Sequence, residues 1–282
     1  MKRNLLAAAL LGLVFAAPAV AQPAATRPAV DVPEGAELIE PKQDAPYAPA
    51  GEPMRVEEWT VDAEGLTPLD LLVAVPADYD ADPEKAWPLV VFLHGAGERG
   101  DDVQKVAAWG PPKLIKEGAA IPAIVVSPQC PAESWWPREV ESLSHLLDQV
   151  EARYRVDADR VYLTGLSMGG FGSVAWATAE PEKFAAVVAV CGGGDPAAAQ
   201  AMASIPTWFL HGVDDDVVPY ANSVALYNAL READGADDAD DADVKLTLYE
   251  GVDHFSWIPA YADAAVWEWM FGQSLSDAPD RP

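Results

Sequence analysis

Val161-Tyr162-Leu163-Thr164-Gly165-Leu166-Ser167-Met168-Gly169-Gly170 is a β-branched and apolar run that halts at a serine set between glycines. The pattern predicts a strand, a sharp elbow and a helix, with Ser167 forced out at the tip of the elbow on strained backbone. Gly165 and Gly169 occupy the two positions of the G-x-S-x-G spacing where a Cβ would hold strand and helix apart. A serine that merely caps the outgoing helix is the competing reading of the same residues. Partners for a nucleophile elsewhere in the chain decide between the two.

Around the elbow, short apolar runs alternate with longer amphipathic or alanine-rich stretches. The runs at residues 89–93, 123–127, 161–164, 185–190, 207–210 and 245–249 read as strands. This alternation is the signature of an α/β fold, a mostly parallel central sheet with helices on both faces. Between the second and third of these strands, Val140, Leu143, Leu147, Val150 and Tyr154 form one apolar stripe at helical spacing. Ahead of them, residues 55–61 and 70–76 flank a turn at Glu64-Gly65 and predict an antiparallel opening to the sheet. Two stretches break the alternation: residues 98–119, mixed in polarity, and the Asp/Ala run at 234–243. The latter reads as a solvated insertion rather than a calcium loop, because Gly235 stands second and no closing glutamate follows at the right distance.

The ends of the chain have a different character. Met1-Lys2-Arg3, an apolar run from Leu5 to Ala17 and the small residues Ala19-Val20-Ala21 predict a signal peptide over 1–21, and so a secreted or periplasmic protein beginning near Gln22. Residues 22–53, rich in Pro and Ala without periodicity, read as a disordered tether, 54–273 as the catalytic domain and 274–282 as a disordered tail. Removing 1–21 removes two basic residues and no acidic one, which takes the formal charge from −27 to −29. Such a surface repels nucleic acid and anionic lipid, so neither is expected as a partner. Cys130 and Cys191 are too few for a disulfide scaffold; one bridge or two separate thiols both fit. No Cys/His spacing resembles a metal site.

A nucleophilic serine needs a base, an acid to orient it and donors for an oxyanion. The chain has four histidines. His145 lies opposite the apolar stripe of its helix, and His94 and His211 each end a strand before a glycine, which suits a turn-shaping role. His254, in the loop after the last strand, is left as the base. The acid belongs between serine and histidine, where His211-Gly212-Val213-Asp214-Asp215-Asp216-Val217-Val218-Pro219 offers three aspartates. For the oxyanion, the Met168 N–H follows the nucleophile. A second N–H comes from His94-Gly95-Ala96-Gly97-Glu98-Arg99-Gly100, with Ala96 the expected donor and Gly97 the alternative. Trp135, Trp136 and Trp257 fall near the same sheet edge, either as stacking platforms for substrate or as loop anchors.

Over residues 89–257 these motifs, together with Pro128-Gln129-Cys130-Pro131, resemble the α/β-hydrolase superfamily, and within it secreted esterases related to the polyhydroxybutyrate depolymerases and feruloyl esterases. The resemblance implies Asp215 as the acid, with Asp214 second, because it matches the acid position of an H-G-x-x-D-x-V-V-P loop. Asp216 departs from that pattern, since relatives often carry proline there. It further implies a Ser167-His254-Asp215 triad that cleaves small-molecule or polysaccharide esters through an acyl-enzyme without a cofactor. The alternatives are a serine peptidase and a non-catalytic binding protein on the same fold.

Overall fold

The computed structural model describes residues 30–41, 51–234 and 243–277. The expected signal peptide, residues 235–242 of the Asp/Ala run and the end of the tail lie outside the described residues. Among the described residues, nine strands form one sheet: β1 Glu37–Ile39, β2 Arg55–Val61, β3 Leu69–Val75, β4 Trp87–Leu93, β5 Ile124–Pro128, β6 Val156–Leu166, β7 Ala186–Val190, β8 Thr207–Gly212 and β9 Val244–Tyr249. Their order across the sheet is β1-β9-β8-β7-β6-β4-β5-β3-β2. Among the described residues, β2/β3 and β3/β5 are the antiparallel pairs.

Burial explains the composition of the strands. Every residue of β4, β5, β7 and β8 is buried, so each strand is covered on both faces and reads as an unbroken apolar run. The covering helices are α1 Gly110–Lys116, α2 Val140–Arg153, α3 Met168–Ala179, α4 Pro196–Ala199, α5 Ala221–Asp234, α6 Trp257–Ala262 and α7 Ala264–Phe271. In α2 the buried positions include Leu143, Leu147 and Val150 of the expected stripe. Edge strand β2 instead alternates in burial, with Val56 and Glu58 exposed, which leaves one face to solvent.

Three boundaries depart furthest from the sequence reading. Glu37–Ile39 lies inside the expected tether yet pairs in parallel with residues Thr247 to Tyr249 of β9. Glu250 N–H caps the junction by donating to the Ile39 carbonyl at 2.8 Å, so the edge of β9 supplies an order that three residues could not encode alone. Strand β6 starts at Val156 rather than 161, because Val156 pairs with Trp87 although Asp157 to Arg160 is polar. An Arg160–Asp157 ion pair at 2.6 Å offsets the local charge. At the other end, Leu275–Asp277 forms a 3-10 turn where a disordered tail was expected, and Tyr162 Oη donates to the Gln273 carbonyl at 2.8 Å.

Candidate active site

The strand-to-helix elbow joins β6 to α3, and Ser167 stands at its tip with φ 52° and ψ −118°. Among the described residues, only Ser167 and Cys191 (φ 39°) carry a positive φ without being glycine, and the two meet at the same sheet edge. The flanking glycines are a steric necessity. A Cβ on Gly165 would overlap the carbonyl of Gly169, and one on Gly169 would overlap the carbonyl of Leu93 at the end of β4. Ser167 makes no side-chain capping bond to α3, which removes the competing reading of a helix cap. Its Oγ lies 2.9 Å from His254 Nε2 instead.

His254 sits in the loop between β9 and α6, with its ring edge-on to Trp257 at 5.3 Å. Its Nδ1 lies 2.7 Å from Asp215 Oδ2. Of the three adjacent aspartates, Asp215 has its side chain withdrawn from solvent, whereas Asp214 and Asp216 are exposed. The N–H groups of Val217 and Val218 donate to Asp215 Oδ1 at 2.9 and 2.8 Å, an Asx turn that fixes the carboxylate. Burial alone would raise the Asp215 carboxyl. Donation from His211, from His254 and from these two N–H groups outweighs it and holds the group well below the ordinary aspartate range.

Cys191, at the end of β7, is the third group here: its sulfur, an Asp215 oxygen and a His254 nitrogen lie within 4.8 Å of one another. Within this group His254 Nδ1 and Asp215 Oδ2 are hydrogen-bonded to each other at 2.7 Å. Burial pushes the Cys191 thiol up to about 12, so it stays a neutral S–H. Cys130 is also buried and up at about 12, through burial and the nearby Glu139, and both cysteines are free thiols. The question of a bridge is thus answered in favour of separate packing.

The two expected oxyanion donors both stand at helix starts. Met168 is the first residue of α3 and Ala96 the first of a 3-10 turn, Ala96–Glu98, so neither N–H has a carbonyl partner within its own helix. His94 sets the entry to this loop. Its Nδ1–H donates to the Gly95 carbonyl at 2.6 Å and its Nε2 accepts the Cys130 N–H at 3.0 Å, which fixes the tautomer. In a trans peptide the carbonyl and the following N–H point opposite ways, so holding the Gly95 carbonyl also orients the Ala96 N–H. Burial brings the His94 imidazole down to about 4. Gln129 Nε2 adds two bonds, to the carbonyls of Glu98 at 2.7 Å and Asp102 at 2.9 Å.

The three tryptophans divide. Trp136 is fully buried, donates to the His94 carbonyl at 2.9 Å and packs edge-on to the His94 ring, so it is a loop anchor and not a stacking platform. Trp135 is 38% exposed and lies 6.3 Å from Phe171 on α3. Trp257 is buried beneath His254 and joins Phe255 and Trp109 in an aromatic cluster at 4.8 and 5.8 Å. Sequence reasoning missed Trp109, Phe171 and Phe255. Trp109 sits in the mixed stretch 98–119, where no periodicity marks it, whereas Phe255 stands next to the base and adjacency alone could have flagged it.

The bifunctional acetylxylan esterase/xylanase XynS20E of Neocallimastix patriciarum is 28% identical over 47% of the chain, and the chain spans only 20% of its length. Feruloyl esterase C of Emericella nidulans is 28% identical over 61% of the chain and 64% of the relative. Among solved structures, a thermostable esterase is 34% identical with a TM-score of 0.68, over 78% of this chain and 63% of that one. Residues 67–234, more than half the sequence, match the family model described as "Putative esterase", and the chain with its α/β-hydrolase fold belongs to that family.

Proposed function

We propose that this protein hydrolyses carboxylic esters through a Ser167-His254-Asp215 triad and an acyl-enzyme. One observation carries the reading: His254 spans Ser167 Oγ at 2.9 Å and Asp215 Oδ2 at 2.7 Å, with the serine on strained elbow backbone. His254 Nε2 takes the Ser167 proton as Oγ adds to the ester carbonyl, while Asp215 holds the Nδ1–H and stabilises the imidazolium. The negative oxygen then rests on the N–H groups of Ala96 and Met168. His254 returns the proton to the departing alkoxide oxygen, and a water repeats the sequence to release the acid and restore Ser167.

The substrate class is small or flat acyl esters, such as acetyl or feruloyl groups carried on a polysaccharide or a small alcohol. Trp135 with Phe171, and Phe255 with Trp109 over the buried Trp257, offer aromatic surface on which a ring can stack near Ser167. With p-nitrophenyl acetate, Ser167→Ala should reduce turnover about a thousandfold or more while binding persists. Equal turnover by both proteins, or cleavage of peptides but not esters, would overturn the proposal.

Export is part of the same reading. It rests on the basic start, apolar run and small residues within 1–21. Among the described residues no helix is long and apolar enough to cross a membrane. N-terminal sequencing of protein recovered outside the cytoplasm should give a start near Gln22; an intact Met1 would contradict it.

A further inference from the structure

Asp215 has a second histidine. His211, the penultimate residue of β8, is wholly buried, and its Nε2 lies 3.2 Å from Asp215 Oδ2 and 2.8 Å from the Val218 carbonyl. A carbonyl only accepts, so Nε2 carries the hydrogen and shares it between Val218 and the carboxylate. The other ring nitrogen, Nδ1, lies 2.7 Å from Ser223 Oγ in the first turn of α5. The Ser223 hydroxyl therefore pins the ring from behind.

Both oxygens of Asp215 are then fully engaged. Oδ1 accepts two backbone N–H groups, and Oδ2 accepts His254 on one side and His211 on the other. Two N–H groups on Oδ1 still allow the carboxylate to swing about that oxygen. A donor fixed on the far side of Oδ2 removes this freedom, because the remaining lone pair then faces His254 Nδ1. We infer that His211 is a positioning residue, which holds Asp215 Oδ2 on line with His254 through an N–H locked by Val218 and Ser223. The inference rests on the triad reading above and adds a fourth side chain to it.

Steady-state kinetics of folded full-length variants test the inference. His211→Leu keeps the approximate size and removes the donor. It should lower kcat on the order of 10- to 100-fold with KM within about twofold, since the lost bond reaches substrate only through Asp215 and His254. His211→Gln places an amide N–H near the Nε2 position and should recover kcat to within about threefold of wild type. Ser223→Ala, which only loosens the ring, should reduce kcat a few-fold and leaves the inference testable if the leucine variant does not fold. Unchanged kcat in folded His211→Leu or in Ser223→Ala would overturn the inference, as would a glutamine variant as impaired as the leucine one. Asp215→Asn keeps the two failures apart. If it retains wild-type turnover, the triad assignment falls and His211 with it; if it is inactive while His211→Leu is not, only the role of His211 falls.

Discussion

His94-Gly95 follows β4 and His211-Gly212 closes β8, and as dipeptides at the ends of buried strands the two look alike. Their partners separate them. His94 is bonded to backbone on both edges: Nδ1–H to the Gly95 carbonyl, Nε2 from the Cys130 N–H. His211 holds the opposite tautomer, with Nε2–H turned to the Val218 carbonyl and Asp215 and with Nδ1 facing the Ser223 hydroxyl. A proton added to His94 would set an N–H against the Cys130 N–H. The first histidine shapes the turn ahead of Ala96, and the second touches the carboxylate of Asp215. The dipeptide specifies a buried turn; the residue that reaches it from a distant segment specifies the work.

The glycines after these histidines offer the harshest way to break the comparison. A Cβ on Gly212 would overlap the carbonyl oxygens of Asp253 and Val252, backbone atoms in the loop that carries His254. One on Gly95 would first meet the Leu166 Cδ1 at 2.9 Å, the free end of a side chain that can rotate away. Gly212→Ala should therefore destabilise by about 3 kcal/mol or more, a melting temperature lower by roughly 10 °C, and should displace His254. Gly95→Ala should stay within about 1 kcal/mol of wild type. Thermal unfolding of both variants reads the difference directly, and similar losses would mean that the two turns are equally constrained.

The same contrast shows what the sequence could reveal. The elbow was legible because a strand, a serine and two glycines within ten residues leave few other conformations, and the histidine that the fold brings to Ser167 was reached by elimination among four. The strands buried on both faces were legible as unbroken apolar runs. What escaped depended on distant partners. Glu37–Ile39 has no strand pattern of its own and is ordered by the edge of β9. Asp157 to Arg160 is polar, yet it extends β6 because the strand pairs beyond the apolar run. Trp136 looked equivalent to Trp135 until Gly172, His94 and the His94 carbonyl enclosed it. Gln129 and Cys130 were visible as a motif, but their task of pinning the loop after β4 required the long reach from residues 129 and 130 to residues 94, 98 and 102.

A gentler test acts on the protonation of His94 alone. Its folded value of about 4 lies below the ordinary 6.5 because burial disfavours the cation. The unfolded chain takes up this proton as pH falls through about 6.5, while the folded protein resists until about 4. Stability from this group is therefore complete above pH 6.5, declines between 6.5 and 4, and stops changing below. A shift of that size corresponds to something on the order of 3 kcal/mol across the window. The depressed carboxyl of Asp215 acts lower down: its contribution is present above the ordinary aspartate value and is lost as pH falls beneath it. Denaturant unfolding from pH 7 to pH 4 should show a steeper decline for wild type than for His94→Gln, which keeps an amide donor and an acceptor but has no proton to gain. Parallel curves would show that His94 does not carry the pH dependence. Curves that diverge only below pH 6.5 would tie the acid sensitivity of the fold to the turn that orients the Ala96 N–H.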